Sequence, residues 1–331
     1  MSLVAETSYS TLIMSGCVLI AVMLDRLLGE PKRWHPLVGF GYLASRLEAR
    51  LNRAHNTRTI AFLCGFFAWV MAVMIPVLII VVLLAYLNAF LVYDDGVERY
   101  IRGGIDVVIL YLAIGHQSLR QHAQAVLTPL QHGDLQQAQR QVAMIVSRDS
   151  DTLDEPGVRK AAIESVLENG SDAIFAPIFW FIIGGAPAVL VYRFSNTLDA
   201  MWGYKTERFL WFGCFAARMD DLLNWLPSRL VGVSYTLLGN TKTAWQCWQQ
   251  QAHLLESPSA GVVMAAGAGA LNVRLGGDSV YHGQRKVKPV FGAGRDPENH
   301  DLHNSLRLVS KTLVLWCTVL LLIALITDGV L

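Results

Sequence analysis

The chain of 331 residues is 53% hydrophobic and only 16% charged, and its mean hydropathy is +0.39. A soluble domain usually carries about 25% charged residues, so the composition predicts a membrane protein. A net charge of +1 and the lack of a basic stripe exclude nucleic acid as an expected partner. Five cysteines without C-x-x-C spacing predict buried thiols rather than a metal or disulfide framework.

Apolar runs of membrane-spanning length recur along the chain. A helix of about 20 apolar residues crosses a bilayer, and no strand-like alternation persists anywhere. We therefore predict an all-α, polytopic integral membrane protein with about four to five membrane segments, in a single helical membrane domain over residues 1–331. The main predicted membrane segments are 9–28, 59–93, 173–192 and 312–327.

Helix-breaking residues interrupt two of these runs. Pro76 is expected to kink the first of them, which is too long for one straight span. Residues 184–187, Gly-Gly-Ala-Pro, predict a broken segment between 173 and 192. A weaker apolar run, Val107–Leu119, predicts either a further span or a packed helix.

The polar segments indicate how the chain is oriented in the membrane. Residues 29–58 contain six lysines and arginines, so the positive-inside rule places this loop in the cytoplasm and the N-terminus outside. Residues 120–172 predict soluble helices, the last of them from about Pro156 to Phe175. Residues 276–297 predict a glycine- and proline-rich loop. We expect 120–172 and 195–300 to carry a site on the cytoplasmic side.

A row of carboxylates precedes the broken segment. Glu164, Glu168 and Asp172 are spaced four residues apart and therefore share one helix face. Like charges at this spacing repel each other, and a solvated face is the simplest interpretation. Carboxylates at a membrane boundary nevertheless need water, a partner or a metal, which favours a functional site.

A second acidic group and several cations follow. Asp220 and Asn224 lie four residues apart and weakly resemble carboxylate patterns that bind magnesium pyrophosphate, whereas Asp221 is spaced for a simple ion pair with Arg218. Further cations suit either phosphate or lipid headgroups. These are Arg193, Lys205 and Arg208 after the broken segment and Arg285, Lys286, Lys288 and Arg295 in the glycine-rich loop.

Four stretches of the sequence closely resemble one family. They are "LDRLLGEPKRWHPLVGFG", "SRDSDTLDEPGVRKAAIESVLENGSDAIFAPIFW", "GGAPAVLVYRFSNTLDAMWGYKTERFLWFGCFAARMDDLLNWLPSRL" and "SPSAGVVMAAGAGALNVRLGGDSVYHG". This chain resembles the adenosylcobinamide-phosphate synthases of cobalamin biosynthesis, the CobD/CbiB family, over nearly its whole length. It departs at Ser259, where the family usually has Asn, and at Gly170-Ser171, where the family often has Thr-Val.

The resemblance implies a reaction. Family members join a carboxylate of adenosylcobyric acid, a corrin, to aminopropanol or its phosphate in an ATP-dependent amide ligation. The implied cofactor is Mg²⁺, with ATP as co-substrate, and an acyl phosphate is the natural activated intermediate. The implied partners are the corrinoid and amino-alcohol substrates, membrane lipid and other cobalamin-assembly membrane enzymes. The implied location is the cell inner membrane, with the site facing the cytoplasm.

The resemblance also gives the candidate residues expected roles. The catalytic carboxylates would be Glu168, Glu164 and Asp172. The metal ligands would be Asp149, Glu164, Asp220 and Asp221. The phosphate and nucleotide ligands would be Arg148, Arg193, Lys205, Arg208 and Arg218. The substrate contacts would be Asn196, Tyr204, Tyr281 and Lys286.

A cytoplasmic ATP site constrains the broken segment. A simple span over 173–192 would place the two acidic groups on opposite sides of the membrane. We therefore predict a re-entrant helical hairpin whose two ends carry the two halves of one site. Two other classes remain open: a membrane phosphotransferase or prenyltransferase with a lipid substrate, and a transporter or signalling relative without ligase activity.

Overall fold

A computed structural model describes residues 10–31, 35–90, 95–146, 148–281 and 284–329. Helices dominate this described part. The first six are α1 Thr11–Leu28, α2 Pro36–Leu51, α3 Arg58–Trp69, α4 Ile75–Phe90, α5 Asp95–Ala113 and α6 His116–Gln131. The others are α7 Leu135–Val142, α8 Glu155–Gly170, α9 Ala176–Trp202, α10 Cys214–Leu238, α11 Thr241–Gln251, α12 Pro258–Leu271 and α13 Asn299–Thr327.

Four helical segments are long and apolar enough to cross a membrane, namely Thr11–Leu28, Arg58–Leu87, Glu155–Trp202 and Asn299–Thr327. Each of the four predicted membrane runs falls largely within one of them, so the helical, polytopic fold class is confirmed. The predicted run Val107–Leu119 is not one helix, because α5 ends at Ala113 and α6 begins at His116.

Short strands occupy part of the predicted glycine-rich loop. β1 Arg274–Gly276 pairs antiparallel with β4 Val290–Gly292, and β2 Ser279–Tyr281 pairs antiparallel with β3 Gln284–Lys286. The sequence did not predict these strands, because three residues are too few to show an alternating pattern.

The chain forms two compact units. Unit 1 comprises the described residues of Met1–Ile114, Pro177–Leu223 and Cys317–Leu331, and unit 2 those of Gly115–Ala176 and Asn224–Trp316. The expected single domain over 1–331 stays a prediction. In unit 1, the rings of Phe40 and Phe194 stack at 4.3 Å within a core that includes Trp69, Trp202 and Phe212.

Helices α1 and α5 lie side by side in unit 1. The Cys17 thiol lies 3.9 Å from the carbonyl of Gly103, and the Tyr111 hydroxyl donates to the carbonyl of Gly29 at 2.8 Å. Both helices therefore advance in the same direction. At the start of α1, the Asp328 carboxylate accepts from the backbone N–H of Leu12 at 2.9 Å and of Thr11 at 3.3 Å. This contact brings the end of α13 to the start of α1.

The long apolar segment Arg58–Leu87 contains an irregular helical turn before its proline. The kink expected at Pro76 stays a prediction. A π-helical turn, Val70–Met74, separates α3 from α4 and lies just before Pro76. Proline has no N–H to offer the preceding turn, and a π-helical turn accommodates such a local loss of helical hydrogen bonds.

Helix α9 breaks at the predicted glycines. Gly184 has φ −150° and ψ 22°, and Gly185 has φ 62° and ψ −157°, a conformation that side chains with a Cβ rarely adopt. The second arm begins at Ala186, whose N–H donates to the buried Asp106 carboxylate at 3.4 Å. We call residues 177–202, with this break, the α9 hairpin.

Contacts on the two arms show that the chain reverses. The Trp180 indole, before the break, donates to the Leu223 carbonyl at 3.0 Å, and Asn196, after the break, donates to Asp220 at 3.1 Å. Sixteen residues of straight helix measure about 24 Å, whereas Asp220 and Leu223 lie within one turn of α10. Both arms therefore pack against the same part of α10, as a hairpin does.

Unit 2 is built around a buried helix of small residues. Helix α12 is capped by the Ser257 hydroxyl, which accepts from the N–H groups of Ser259 and Ala260, and it ends at Asn272 in a left-handed conformation. Its glycines allow close packing: a Cβ on Gly269 would lie 2.7 Å from the Cα of Ala244. Small residues therefore bring α12 against α11.

Candidate active site

Helix α8 carries the first carboxylate row in unit 2. Its start agrees with the prediction: Asp154 caps the Gly157 N–H at 2.9 Å, and Pro156 lies in the first turn. Its end differs, because a π-helical turn, Ser171–Phe175, follows Gly170. Asp172 lies in this turn, so α-helical spacing alone does not fix its direction relative to Glu164 and Glu168.

Glu164 is the most enclosed member of the row. Only 7% of its side-chain surface is exposed, and Arg148, with 10% exposed, donates from Nη2 to Glu164 Oε2. The other oxygen, Oε1, accepts the Gly276 N–H at 2.7 Å. Gly276 has φ +75°, and a Cβ there would lie 2.2 Å from the Pro289 carbonyl. Glu164 thus ties α8 to the glycine-rich segment.

Glu168 and Asp172 differ from Glu164, because both are only half-buried. Between them, the Asn169 amide donates to Ser165 Oγ at 2.8 Å, and this hydroxyl donates to the Ile145 carbonyl at 2.9 Å. These hydrogen bonds hold the side chains of Asn169 and Ser165 in place. The two partly exposed carboxylates therefore lie beside side chains of α8 that are fixed by hydrogen bonds.

A buried tyrosine adjoins the row, and the sequence interpretation missed it. Tyr235 on α10 is fully buried, and its hydroxyl donates to the Leu167 carbonyl at 3.3 Å. Burial, followed by the nearby charge of Asp172, raises the pKa of Tyr235 far above its ordinary value. The hydroxyl therefore stays protonated and acts as a donor. No local pattern around Tyr235 distinguishes it from other aromatic residues.

Unit 1 contains a second polar group, formed by the second arm of the α9 hairpin and α10. Arg193 Nη1 donates to Asn196 Oδ1 at 3.3 Å, and Asn196 Nδ2 donates to Asp220 Oδ1 at 3.1 Å. The Nε atom of Arg193 is buried and has no hydrogen-bond partner among the described residues. The structure thus joins Asp220 to Arg193 and Asn196, two residues that the sequence analysis placed in a separate stretch.

Arg208, a predicted phosphate ligand, binds a carboxylate of the protein. Its Nε and Nη2 donate to the two oxygens of Glu48 at 2.9 and 2.7 Å, and Asn52 donates to the same carboxylate at 2.8 Å. Burial raises the pKa of Glu48, but the hydrogen bonds from Arg208 and Asn52 outweigh it, and the pKa lies below its ordinary value. No local sequence pattern predicts this pair, since 160 residues separate its members.

The remaining predicted residues are less enclosed. Tyr204, Lys205 and Arg218 are exposed, and Asp149 and Asp221 are half-buried. The side chains of Tyr281 and Lys286 lie outside the part of the molecule that the structure describes.

The carboxylates of the two units fit a magnesium site only in part. Across the described ranges, no three histidine, cysteine, aspartate or glutamate side chains gather in a group able to hold a metal. Magnesium commonly binds only one or two carboxylates and completes its shell with water and substrate phosphates. The half-buried Asp172 and Asp220 fit that partial role.

These features define a class of protein: a polytopic helical membrane protein with carboxylates and guanidinium groups on helices next to its apolar segments. The chain belongs to the CobD/CbiB protein family, whose sequence profile, described as CobD/Cbib protein, matches residues 18–309.

Relatives named "Cobalamin biosynthesis protein CobD" cover nearly the whole chain. The protein from Stutzerimonas stutzeri is 52% identical over 92% of this chain and 96% of its own length. The protein from Chromobacterium violaceum is 47% identical over 94% and 97%, and that from Geobacter metallireducens is 38% identical over 83% and 85%. No solved structure matches the chain.

Proposed function

We propose that this protein acts in cobalamin biosynthesis as an ATP-dependent ligase that joins a carboxylate of adenosylcobyric acid to the amine of aminopropanol or its phosphate. The product is adenosylcobinamide or its phosphate. Two findings support the proposal: the names of relatives that are 47–52% identical over nearly the whole chain, and the four sequence stretches that resemble the synthases.

The proposed chemistry has two steps. The corrin carboxylate attacks the γ-phosphorus of ATP, which forms an acyl phosphate and releases ADP. The amine then attacks the acyl carbon, the C–N bond forms, and inorganic phosphate leaves with the electron pair of the broken C–O bond. The attacking amine must lose a proton to a base, and the departing phosphates need neutralising cations.

The roles proposed for the carboxylates of α8 are based on the contacts of Glu164. Because both of its oxygens accept from Arg148 and Gly276, we assign Glu164 to holding the glycine-rich segment rather than to proton transfer. Glu168, one turn further and half-buried, is the proposed base for the amine. Asp172 and Asp149 are proposed to hold Mg²⁺, which would neutralise nucleotide phosphate charge.

The polar group of unit 1 is proposed to bind phosphate and corrin amides. Arg193 has a buried Nε without a partner among the described residues, and Asn196 presents its amide next to Asp220. Lys205 and Arg218 are exposed and suit phosphate oxygens, and Tyr204 suits a substrate amide. Asp220 and Asp221 are the proposed carboxylates for Mg²⁺ in this unit.

Product formation tests the proposal directly. Purified protein in nanodiscs would receive adenosylcobyric acid, Mg-ATP and aminopropanol or its phosphate, and mass spectrometry would detect the amide. We expect product from the wild type and at least a 100-fold lower rate from Glu168→Gln, since general-base catalysis typically contributes about 10²–10⁴-fold. Asp151→Asn is the matched control, because Asp151 is exposed and its contact with Gln139 is made through the backbone carbonyl, which the substitution keeps.

Each outcome separates the alternatives. Equal product from Glu168→Gln and wild type would remove Glu168 from the chemistry and leave the ligase in place. Substrate binding without amide formation or ATP turnover, in folded protein, would favour a transporter or signalling relative, a class in which broken membrane helices also occur. We also propose the inner membrane as its location, with this chemistry on the cytoplasmic side.

A further inference from the structure

A basic groove lies within unit 2, between α6 and α13. Its volume is about 530 Å³. The α13 wall presents His303, Arg307 and Lys311, which are spaced four residues apart and are all exposed. The facing wall of α6 presents Arg120 with the amides of Gln117 and Gln124.

The ionisable side chains that line the groove are all basic. None of the described residues that line it is acidic. Guanidinium, ammonium and amide groups on facing helices all offer hydrogen-bond donors to a ligand, and this donor set suits phosphate oxygens. If the cations of α13 formed only a solvated helix face, a facing row of hydrogen-bond donors on α6 would not be expected.

The groove also adjoins apolar sequence on both of its walls. Lys311 directly precedes residues 312–327, the most apolar part of α13. On the other wall, α6 follows the apolar residues 107–113 of α5 after a two-residue break. Cations at such a boundary lie at the level of lipid headgroups, where they are attracted to an anionic surface.

We propose that this groove binds a phosphate group, and that its source is the headgroup of an anionic phospholipid. The four basic residues that form it have no role in the proposed ligase reaction, so the inference stands independently of that reaction. A free phosphate or pyrophosphate ion offers the same chemistry, and binding measurements distinguish the two sources.

Native mass spectrometry of the full chain in detergent tests the lipid source. Phosphatidylglycerol should form retained adducts with the wild type, and phosphatidylcholine should not. The variant Arg307→Gln/Lys311→Gln should bind phosphatidylglycerol about 30-fold more weakly, as expected for the loss of two headgroup cations. Arg140→Gln/Lys242→Gln removes the same charge from exposed positions outside the groove and should bind as the wild type does.

Isothermal titration with inorganic pyrophosphate tests the soluble source. Pyrophosphate binding that requires Arg307 and Lys311, without selective lipid adducts, would keep the phosphate site and overturn the lipid source. Arg120→Gln should weaken the same ligand from the α6 wall. Failure of both ligands to bind the wild type, or equal losses in the groove variant and its charge-matched control, would overturn the proposal.

Discussion

At the scale of single residues, the contacts of the Arg148–Glu164 pair indicate a structural role for Glu164. Removing Arg148 would leave the buried Glu164 charge with only the Gly276 N–H. Breaking a buried pair in this way typically destabilises a protein by about 3–5 kcal/mol. We expect Arg148→Ala to lower the free energy of unfolding by about 3 kcal/mol, as measured by denaturant unfolding in detergent.

A double variant is the control for this prediction. Arg148→Met/Glu164→Gln removes both charges, so it should destabilise the protein less than Arg148→Ala alone. If the double variant loses as much stability as the sum of the two single variants, the residues are not coupled and Glu164 is not held by Arg148.

The Glu48–Arg208 pair predicts a dependence of stability on pH. Because the pKa of Glu48 is lowered in the folded state, the pair stabilises the fold above the ordinary carboxyl value of about 4. This contribution is lost as the pH falls through the lowered pKa. We expect the melting temperature of Glu48→Gln to lie below that of the wild type at pH 7 and to approach it toward pH 3.

The reverse trend would contradict this assignment. Arg208→Gln should reproduce the effect, since it removes the partner that lowers the pKa. Arg50→Gln, an exposed change on the same helix as Glu48, should leave the pH dependence unchanged.

Sequence spacing located candidate carboxylates but not their partners. The row Glu164, Glu168 and Asp172 follows from local periodicity. The bonds of Glu164 to Arg148 and to Gly276 do not, since they span 16 and 112 residues of chain. Whether other groups of the protein bind a carboxylate therefore depends on tertiary contacts, and local spacing does not predict these contacts.

At the scale of elements, the α9 hairpin depends on Gly185. With φ +62° and ψ −157°, this position disfavours any residue with a Cβ, and such strain costs about 1–3 kcal/mol. We expect Gly185→Ala to lower the free energy of unfolding by that amount. Gly39→Ala, an exposed position in α2 where a Cβ meets no atom within 4 Å, should be neutral or slightly stabilising.

The packing of α12 provides a matched pair of glycine substitutions. A Cβ on Gly269 would meet the backbone of α11, with the Thr243 carbonyl at 2.8 Å, whereas a Cβ on Gly267 would meet the side chain of Leu167 at 2.6 Å. Backbone moves less readily than a side chain. Gly269→Ala should therefore destabilise by about 1–3 kcal/mol in thermal or chemical unfolding, and Gly267→Ala by less. Equal effects would contradict the close approach of α11 and α12.

Some features of the helices follow from local sequence, and others do not. Glycine and proline predicted the break in α9, because their backbone preferences act at their own positions. The π-helical turns Val70–Met74 and Ser171–Phe175 were not predicted, since they depend on the competition of neighbouring hydrogen bonds.

At the scale of the whole molecule, the contacts of unit 1 define a topology. Asp328 brings the end of α13 to the start of α1, so the number of crossings between them is even. The candidate spans α1, Arg58–Leu87 and α13 would supply three. We predict that helix α5, parallel to α1, supplies a fourth that hydropathy alone did not identify, and that the α9 hairpin enters and leaves on one side.

Reporter fusions test this arrangement. Alkaline phosphatase is active only outside the cytoplasm, so fusions after Asn56, Gly133 and Asn240 should be inactive and a fusion after Gly329 active. An active fusion at Gly133 would show that α5 does not cross. An active fusion at Asn240, with an inactive one at Gly133, would show that the α9 hairpin spans the membrane.

Composition and hydropathy identified the polytopic class and its four apolar segments. Whether the number of membrane crossings is even or odd could not be predicted from the sequence, because it is inferred from one contact between residues that are 316 positions apart. The positive-inside rule predicts an orientation, and the reporter fusions test it.

The Asp328 contact has a consequence for biogenesis. Helix α1 leaves the ribosome early, but the carboxylate that caps its first N–H groups is synthesised 316 residues later than Leu12. Until then, Ser10 is the one described side chain that caps this end, through the Ile13 N–H. The start of α1 is therefore completed only when α13 has been synthesised, and translation of almost the whole described chain precedes this contact within unit 1.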